Sequence, residues 1–367
     1  MPYSLTVKKT DGKPGQVYYP LQLNTIPIPT PGPGQLLVRL SAAALNHRDL
    51  FIRQALYPGI SFTAPLLADG YGIVTALGHP ASASPRAQSL LRQPVLLTPS
   101  RGWDSDPAGP EDLGRAFTVV GASRLSADGT AQEWIVVDED EVVAAPAHLT
   151  AAEGAALPLV GVTGWRALVT KAGVRAGDNV LVTGIGGGVA LQVLQFAVAM
   201  GVRVWVTSGD AGKIARAKGL GAEGGVCYKD RDWDRQLGGM LPAERPYLDA
   251  VVDGAGGDVV GRTVKLLKPG GVISSYGMTV GPRMDWLMQA ALKQVELKGT
   301  TMGSKAEFRA MVDFVRAHKI RPVVSRVVKG LDNIAGIEGL FDDMKAGRQF
   351  GKLVIQIDTD ADSAPKL

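Results

Sequence analysis

Apolar positions fall into two textures along this chain. Up to about Pro146 they come as short β-branched runs, such as Leu36-Leu37-Val38-Arg39-Leu40 and Glu133-Trp134-Ile135-Val136-Val137, set in sequence rich in Pro and Gly. Such runs predict short strands of a mostly antiparallel unit. Between about Pro80 and Gly121 the density of Pro, Ser, Asp and Gly predicts long loops lining a cleft. Beyond Pro146 strand-like apolar runs alternate with helical ones, the pattern of βαβ units around a parallel sheet. Strands are predicted at 179–183, 203–207, 248–253, 271–276 and 296–302, with helices at 189–200 and 211–219. In the first helix Ala190, Leu191, Val193, Leu194, Ala197 and Val198 form a broad apolar surface. The tail predicts a helix at 305–318 and a closing strand at 352–357. The organisation expected is 1–146, 147–302, and a return to the first domain over 303–367.

Composition narrows the classes. With 367 residues, 46% of them hydrophobic, the chain can bury a large core, and two domains are the natural expectation. The 39 basic and 35 acidic residues nearly balance, and no long Lys/Arg run could track a phosphate backbone, which argues against nucleic acid. A single cysteine, Cys227, permits neither an internal disulfide nor a thiolate zinc cluster, and suits a reducing cytoplasm. The start Met1-Pro2-Tyr3-Ser4-Leu5-Thr6-Val7 lacks the basic-then-apolar order of an export signal. An uncharged stretch between Asp178 and Arg203 is long enough to span a bilayer, but its glycine cluster and Gln192 and Gln195 read instead as a buried strand, loop and helix. No membrane partner is expected.

The strongest local chemistry is Val180-Leu181-Val182-Thr183-Gly184-Ile185-Gly186-Gly187-Gly188-Val189-Ala190. A buried strand runs through a glycine-rich turn into a helix, so backbone N–H groups can hold a pyrophosphate with no side chain in the way, as in a Rossmann doubly wound sheet. Gly184, Gly186, Gly187, Gly188 and Val189 are the cofactor-binding candidates, with Ala190 at the last position of the fingerprint. NAD-binding chains place an acid about twenty residues further on, against the ribose. Here that position falls on Ser208, and Lys213 follows on the next helix, available to a 2′-phosphate. Asp210, two residues late, keeps NAD open.

Three further segments carry a resemblance: Ala44-Leu45-Asn46-His47-Arg48-Asp49, Leu67-Ala68-Asp69-Gly70-Tyr71-Gly72-Ile73-Val74, and Leu157-Pro158-Leu159-Val160-Gly161-Val162-Thr163-Gly164-Trp165. With the glycine turn they resemble the medium-chain dehydrogenase/reductases over nearly the whole chain, in the zinc-free quinone oxidoreductase-like branch. The resemblance implies a GroES-like, mostly antiparallel catalytic domain beside the Rossmann domain. It implies NADPH, with Ser208, Lys213 and Tyr228 on the adenosine 2′-phosphate, and Thr163 and Gly351 as further cofactor contacts; Gly254, Gly277 and Met278 join them because they stand at the carboxyl ends of predicted strands, where open α/β sheets bind ligands. A homodimer joined along the strand around Leu297-Lys298-Gly299-Thr300-Thr301 is implied in the same way.

It also implies an absence. Zinc-dependent members carry a cysteine where Asn46 stands, a His-Glu pair at Ala68-Asp69, and a cysteine near Leu159 or Val160, so no zinc site is expected. His47 is read as a packing residue. Without a metal to polarise a carbonyl, hydride passes most readily to an electrophile already conjugated: a quinone or an α,β-unsaturated carbonyl. Asn46 and Tyr57 are the catalytic candidates, with Asp49 bracing the loop. Phe51 stands where better-known quinone reductases carry a second tyrosine, which weakens a tyrosine-centred proton relay. Reduction of enoyl thioesters, zinc-free alcohol oxidation, and an NADPH-binding sensor or structural protein with little turnover remain alternatives.

Overall fold

A computed structural model describes residues 1–111, 117–281 and 283–358. The chain divides into two compact units, Met1–Leu159 with Ser304–Leu367, and Val160–Gly303. The first unit runs past the expected boundary at Pro146. The reason is the helix Ala151–Ala155, capped by Thr150 and Glu153. Its Ala155, with Ala156, packs on Ala42, Ala44 and Val354 of the first unit's own sheet. At Gly154 a side chain would drive a Cβ to 2.2 Å from the Tyr71 ring, so only glycine allows that approach.

The sheet of this unit has seven strands in the order Val324–Lys329, Lys352–Gln356, Gln35–Ala44, Asp69–Leu77, Pro94–Leu97, Val142–Ala144, and Trp134–Asp138 pairs with Gln35–Ala44 off that path. Only the first pair is parallel. The closing strand lies antiparallel to Gln35–Ala44 with Val354 opposite Ala44, and Ala44 in turn faces Asp69. Three stretches remote in sequence therefore end side by side at Ala44.

The reading of 80–121 as long loops needs correction, except for 112–116, which lie outside the described residues. A 3-10 turn Pro80–Ser82, a helix Pro85–Leu90 and strands Pro94–Leu97, Ser100–Arg101 and Thr118–Val119 occupy it. Pro85 opens its helix at a position where proline's missing N–H costs nothing, and Ser84 Oγ accepts from the Ala87 N–H at 3.0 Å. Pro94 likewise stands first in its strand.

In the second unit six parallel strands, β1 (Asn179–Val182), β2 (Arg203–Ser208), β3 (Gly224–Cys227), β4 (Leu248–Asp253), β5 (Leu267–Ser275) and β6 (Glu296–Gly299), run in the order β3-β2-β1-β4-β5-β6. This is the doubly wound Rossmann order, whose strand sequence reverses between β1 and β4. Val180, Leu181 and Val182 are buried, as a central strand covered on both faces requires. Strand β3 escaped the sequence pattern because it begins with two glycines. At Gly225 a Cβ would meet Val206 and Ile214 side chains within 2.8 Å. The uncharged stretch becomes β1, a turn and the helix α1 (Gly188–Ala199), and no helix among the described residues is long and apolar enough to cross a membrane.

Candidate functional site

The turn after β1 engages its own N–H groups, those of Gly186 and Gly187 both donating to the Gly184 carbonyl at 2.8 and 3.2 Å, and leaves donors unpaired at the start of the helix that follows. Gly184 takes φ +66°, which reverses the chain, and its N–H donates to Thr207 Oγ1 at 3.1 Å. The Ile185 N–H donates to the Thr207 carbonyl at 2.8 Å. Gly187 is the N-cap of α1, and no side chain caps this helix. The first helical bond across the cap runs from the Leu191 N–H to the Gly187 carbonyl at 3.1 Å, so the N–H groups of Gly188, Val189 and Ala190 have no acceptor within the helix. A Cβ placed on Gly187 would have the Gly184 carbonyl oxygen, 3.7 Å away, as its nearest neighbour. The space over the turn is thus open and edged by donors at the positive end of the helix dipole, which suits a phosphate group.

Neighbouring turns are tied to this one. Thr183 Oγ1 donates to Asp253 Oδ1 at 2.6 Å and accepts from the Gly254 N–H at 3.2 Å. Asp253, at the end of β4, also accepts from the N–H groups of Ala255 and Gly256. Burial pushes its carboxyl up, against the hydrogen bonds from Thr183, Gly256 and Ala255. The Gly254 carbonyl accepts from the Thr279 N–H at 3.2 Å, which brings in the turn after β5 with half-buried Gly277 and exposed Met278. The turns after β1, β4 and β5 therefore meet at the carboxyl ends of adjacent strands, beside the point of reversal where open α/β sheets take ligands. Thr163 is buried, its hydroxyl 3.7 Å from the Met302 sulfur.

At the end of β2, buried Ser208 pairs in register with Cys227, and the Tyr228 N–H donates to the Ser208 carbonyl at 3.1 Å. Gly209 lies against Tyr228 and Lys229: a Cβ there would stand 2.7 Å from the tyrosine hydroxyl and 2.8 Å from the lysine Cε. Lys229, absent from the sequence reading, joins Ser208 and Tyr228 through this strand pairing. Asp210 caps the helix α2 (Ala211–Gly219), its Oδ1 accepting from the N–H groups of Gly212 and Lys213 at 2.7 and 3.3 Å. Lys213 stands on the first turn of α2, where burial pushes its ammonium down and Asp210 pulls it back.

In the first unit the meeting of strands at Ala44 assembles a buried polar cluster. Lys352 Nζ donates to the Leu45 carbonyl at 2.7 Å, Asn46 Oδ1 at 2.6 Å and Asp69 Oδ2 at 2.7 Å. Asn46 Nδ2 donates to Asp69 Oδ2 at 2.8 Å, and Asp69 Oδ1 accepts from the Leu159 N–H at 2.6 Å. Relative exposures are 6% for Asn46, 0% for Asp69 and 4% for Lys352. Neither Asp69 nor Lys352 was a site candidate from sequence: Asp69 was noted only as standing where zinc-dependent members carry a ligand, and Lys352 only as part of the closing strand. The available signal was a charged residue of each sign set into otherwise apolar strand segments, since buried charges of this kind require partners.

Around the cluster, Asp49 Oδ2 accepts from the Asn46 N–H at 2.8 Å at the start of the helix His47–Arg53. Burial pushes its carboxyl up to about 6, with Arg48 pulling the other way. Arg48 donates to the Val120 and Gly121 carbonyls and lies over the Tyr57 ring, 4.8 Å from its centroid. Half-buried Tyr57 packs against the hydrophobic core, and Phe51 meets His47 edge to face at 4.7 Å. Gly351 takes φ +110°, and a Cβ there would lie 2.3 Å from the Val323 carbonyl oxygen. Packing within the first unit is thus reason enough for glycine at that position.

A zinc ion does not fit these residues. Around Asn46 the donor atoms are an amide oxygen, a backbone carbonyl and one carboxylate, and each accepts from the Lys352 ammonium within 2.7 Å. A divalent cation there would face a buried positive charge and would lack the thiolate and imidazole ligands zinc prefers. Among the described residues no group of three His, Cys, Asp or Glu side chains is placed to hold a metal.

Residues 32–147 match the family described as Alcohol dehydrogenase GroES-like domain, and residues 188–317 that described as Zinc-binding dehydrogenase. The zinc-type alcohol dehydrogenase-like protein YogA of Leptosphaeria maculans is 58% identical over 97% of this chain and 100% of its own length. A zinc-type alcohol dehydrogenase-like protein of Schizosaccharomyces pombe is 30% identical, over 94% of this chain and 95% of its own. Among solved structures, an NAD-dependent alcohol dehydrogenase superposes with a TM-score of 0.83 at 31% identity, covering 98% of this chain and 100% of that one.

Proposed function

The chain belongs to the medium-chain dehydrogenase/reductase superfamily and is an oxidoreductase of it; from that premise we propose that it uses NADPH, works without zinc, and reduces a quinone or an α,β-unsaturated carbonyl. The observation that carries the reading is the uncapped start of α1, with its open space over Gly187. The N–H groups of Gly188, Val189 and Ala190, which have no acceptor among the described residues, would hold the pyrophosphate of a dinucleotide.

The choice of NADPH is supported by what stands where a ribose-binding acid is required. Ser208 replaces that acid, and Asp210, the nearest carboxylate in sequence, is engaged as the cap of α2. Ser208, Tyr228, Lys229 and Lys213 would hold a 2′-phosphate. Because the solved relative is named NAD-dependent, coenzyme selectivity is the first property to measure.

When bound, NADPH supplies the hydride. The misfit of zinc to the Asn46 cluster favours an acceptor whose conjugation already lowers its barrier to hydride attack. One amide N–H of Asn46 would then donate to the acceptor oxygen as negative charge develops on it. The test is to titrate the protein with NADPH and NADH, and to follow oxidation of NADPH against a panel of quinones and enones. NADPH is expected to bind about tenfold more tightly or better, which is about 1.4 kcal/mol, and Lys213→Ala to narrow the gap. Equal affinities in the parent would refute the phosphate assignment. Tight binding with no oxidation across the panel would mean a nucleotide-binding protein rather than this enzyme.

A further inference from the structure

We propose that Lys352 is a positioning residue, whose buried ammonium locks the Asn46 amide so that one N–H is presented to the acceptor oxygen. The inference rests on the function proposed above and names residues that set the geometry of its donor.

The cluster removes a symmetry of the asparagine side chain. An asparagine amide can usually turn over, exchanging oxygen for NH2 with little change in shape. Here the oxygen side meets an ammonium at 2.6 Å and the nitrogen side a carboxylate at 2.8 Å. Turning the amide over would set N–H against N–H and oxygen against oxygen, so a single orientation survives.

A count of donors then shows where the cluster can act. The three N–H groups of Lys352 go to Leu45, Asn46 and Asp69, which leaves none for a substrate. Both oxygens of Asp69 are engaged as well. Only the second N–H of Asn46 has no acceptor among the described residues. Lys352 can therefore influence a substrate only through Asn46.

The backbone fixes the lysine in turn. Its own N–H donates to the Val323 carbonyl at 2.8 Å, and Gly351, pressed on the same carbonyl, admits no side chain. The closing strand then runs in register along Gln35–Ala44. A Lys–Asp pair of zero net charge thus occupies the surroundings of Asn46 and holds its amide dipole in place.

The test is a cycle of Asn46→Ala, Lys352→Gln and the two together, read as kcat and KM for the acceptor alongside NADPH affinity. Asn46→Ala is expected to lower kcat about 100-fold, as for loss of one donor to a developing oxyanion. Lys352→Gln should lower kcat with NADPH affinity unchanged, and should add almost nothing once Asn46 is alanine. Falls that multiply, or an unchanged kcat in Lys352→Gln, would overturn the proposal. Because Lys352→Gln alone strands a buried carboxylate, Lys352→Gln/Asp69→Asn, which removes both charges, is measured beside it with the same expectation.

A second readout does not depend on turnover. In spectra of protein labelled with nitrogen-15 at asparagine, the Asn46 Nδ2 proton facing Asp69 should exchange slowly with water in the parent and about tenfold faster or more in the paired variant. Exchange at the rate of a free amide in the parent would overturn the locking. If the parent reduces no acceptor, the proposed function fails, and this spectrum still decides whether Lys352 holds the amide.

Discussion

Replacing Gly187 by alanine separates the demands of folding from those of a ligand. The residue sits at φ −76°, ψ 149°, extended backbone open to any amino acid. The added Cβ would lie 3.7 Å from its nearest neighbour, an ordinary contact. Alanine is a poorer N-cap than glycine by about 0.5–1 kcal/mol. Reduced freedom in the unfolded chain returns about 0.4–1 kcal/mol. The net change in stability should therefore stay within about 1 kcal/mol, a shift of only about 2–4 °C in Tm for a domain of this size. For a bound pyrophosphate the same methyl fills the space the anion must enter. Loss of even one charge-assisted N–H bond, about 1.5–3 kcal/mol, weakens binding by about tenfold to a hundredfold. Thermal unfolding and calorimetric titration with NADPH read the two quantities side by side. Gly184→Ala is the contrasting control, since φ +66° puts alanine in the left-handed region at about 1–2 kcal/mol. NADPH affinity within twofold of the parent in Gly187→Ala would refute the reasoning.

Two further predictions concern pH and assembly. The Asp49 carboxyl, ordinarily near 3.8, is raised by burial to about 6, so the folded chain holds its proton more tightly than the unfolded one. The stability this group contributes is fully present below the unfolded value and is lost as pH rises through the folded one; denaturant melts should therefore show the parent losing ground to Asp49→Asn between about pH 4 and 7, and a constant difference would count against it. Strand β6 forms an open edge of its sheet, and Leu297 on it, with Met288 and Leu292 just before, is exposed. We expect this edge to be covered by a second copy; light scattering should give about twice 38.5 kDa, and the mass of a single chain would exclude it.

The parallel unit was the more legible half of the sequence. Runs such as Val180-Leu181-Val182 are apolar throughout because both faces of a central strand are covered, so composition alone marks them. Strand β3 was hidden by Gly224 and Gly225, which serve close packing that no local pattern records. Pro94-Val95-Leu96-Leu97 was hidden among loop-forming residues, although three of its four positions are buried. The glycine turn was readable because its residues are contiguous. The Asn46 cluster was not, since Asn46, Asp69 and Lys352 meet only through the pairing of three strands, and register across a sheet is not written in any one of them. Lys229 was missed for the same reason: it reaches Gly209 only through the pairing of β2 with β3.

The central claim is hydride transfer from NADPH without a metal. It is tested most directly on chelator-treated protein, shown by elemental analysis to hold only traces of zinc, mixed with NADPH and an enone or quinone while the absorbance of the reduced nicotinamide is followed. We predict full turnover in the stripped protein and no gain when zinc is added back. Turnover that vanishes with the metal and returns with it would contradict the account.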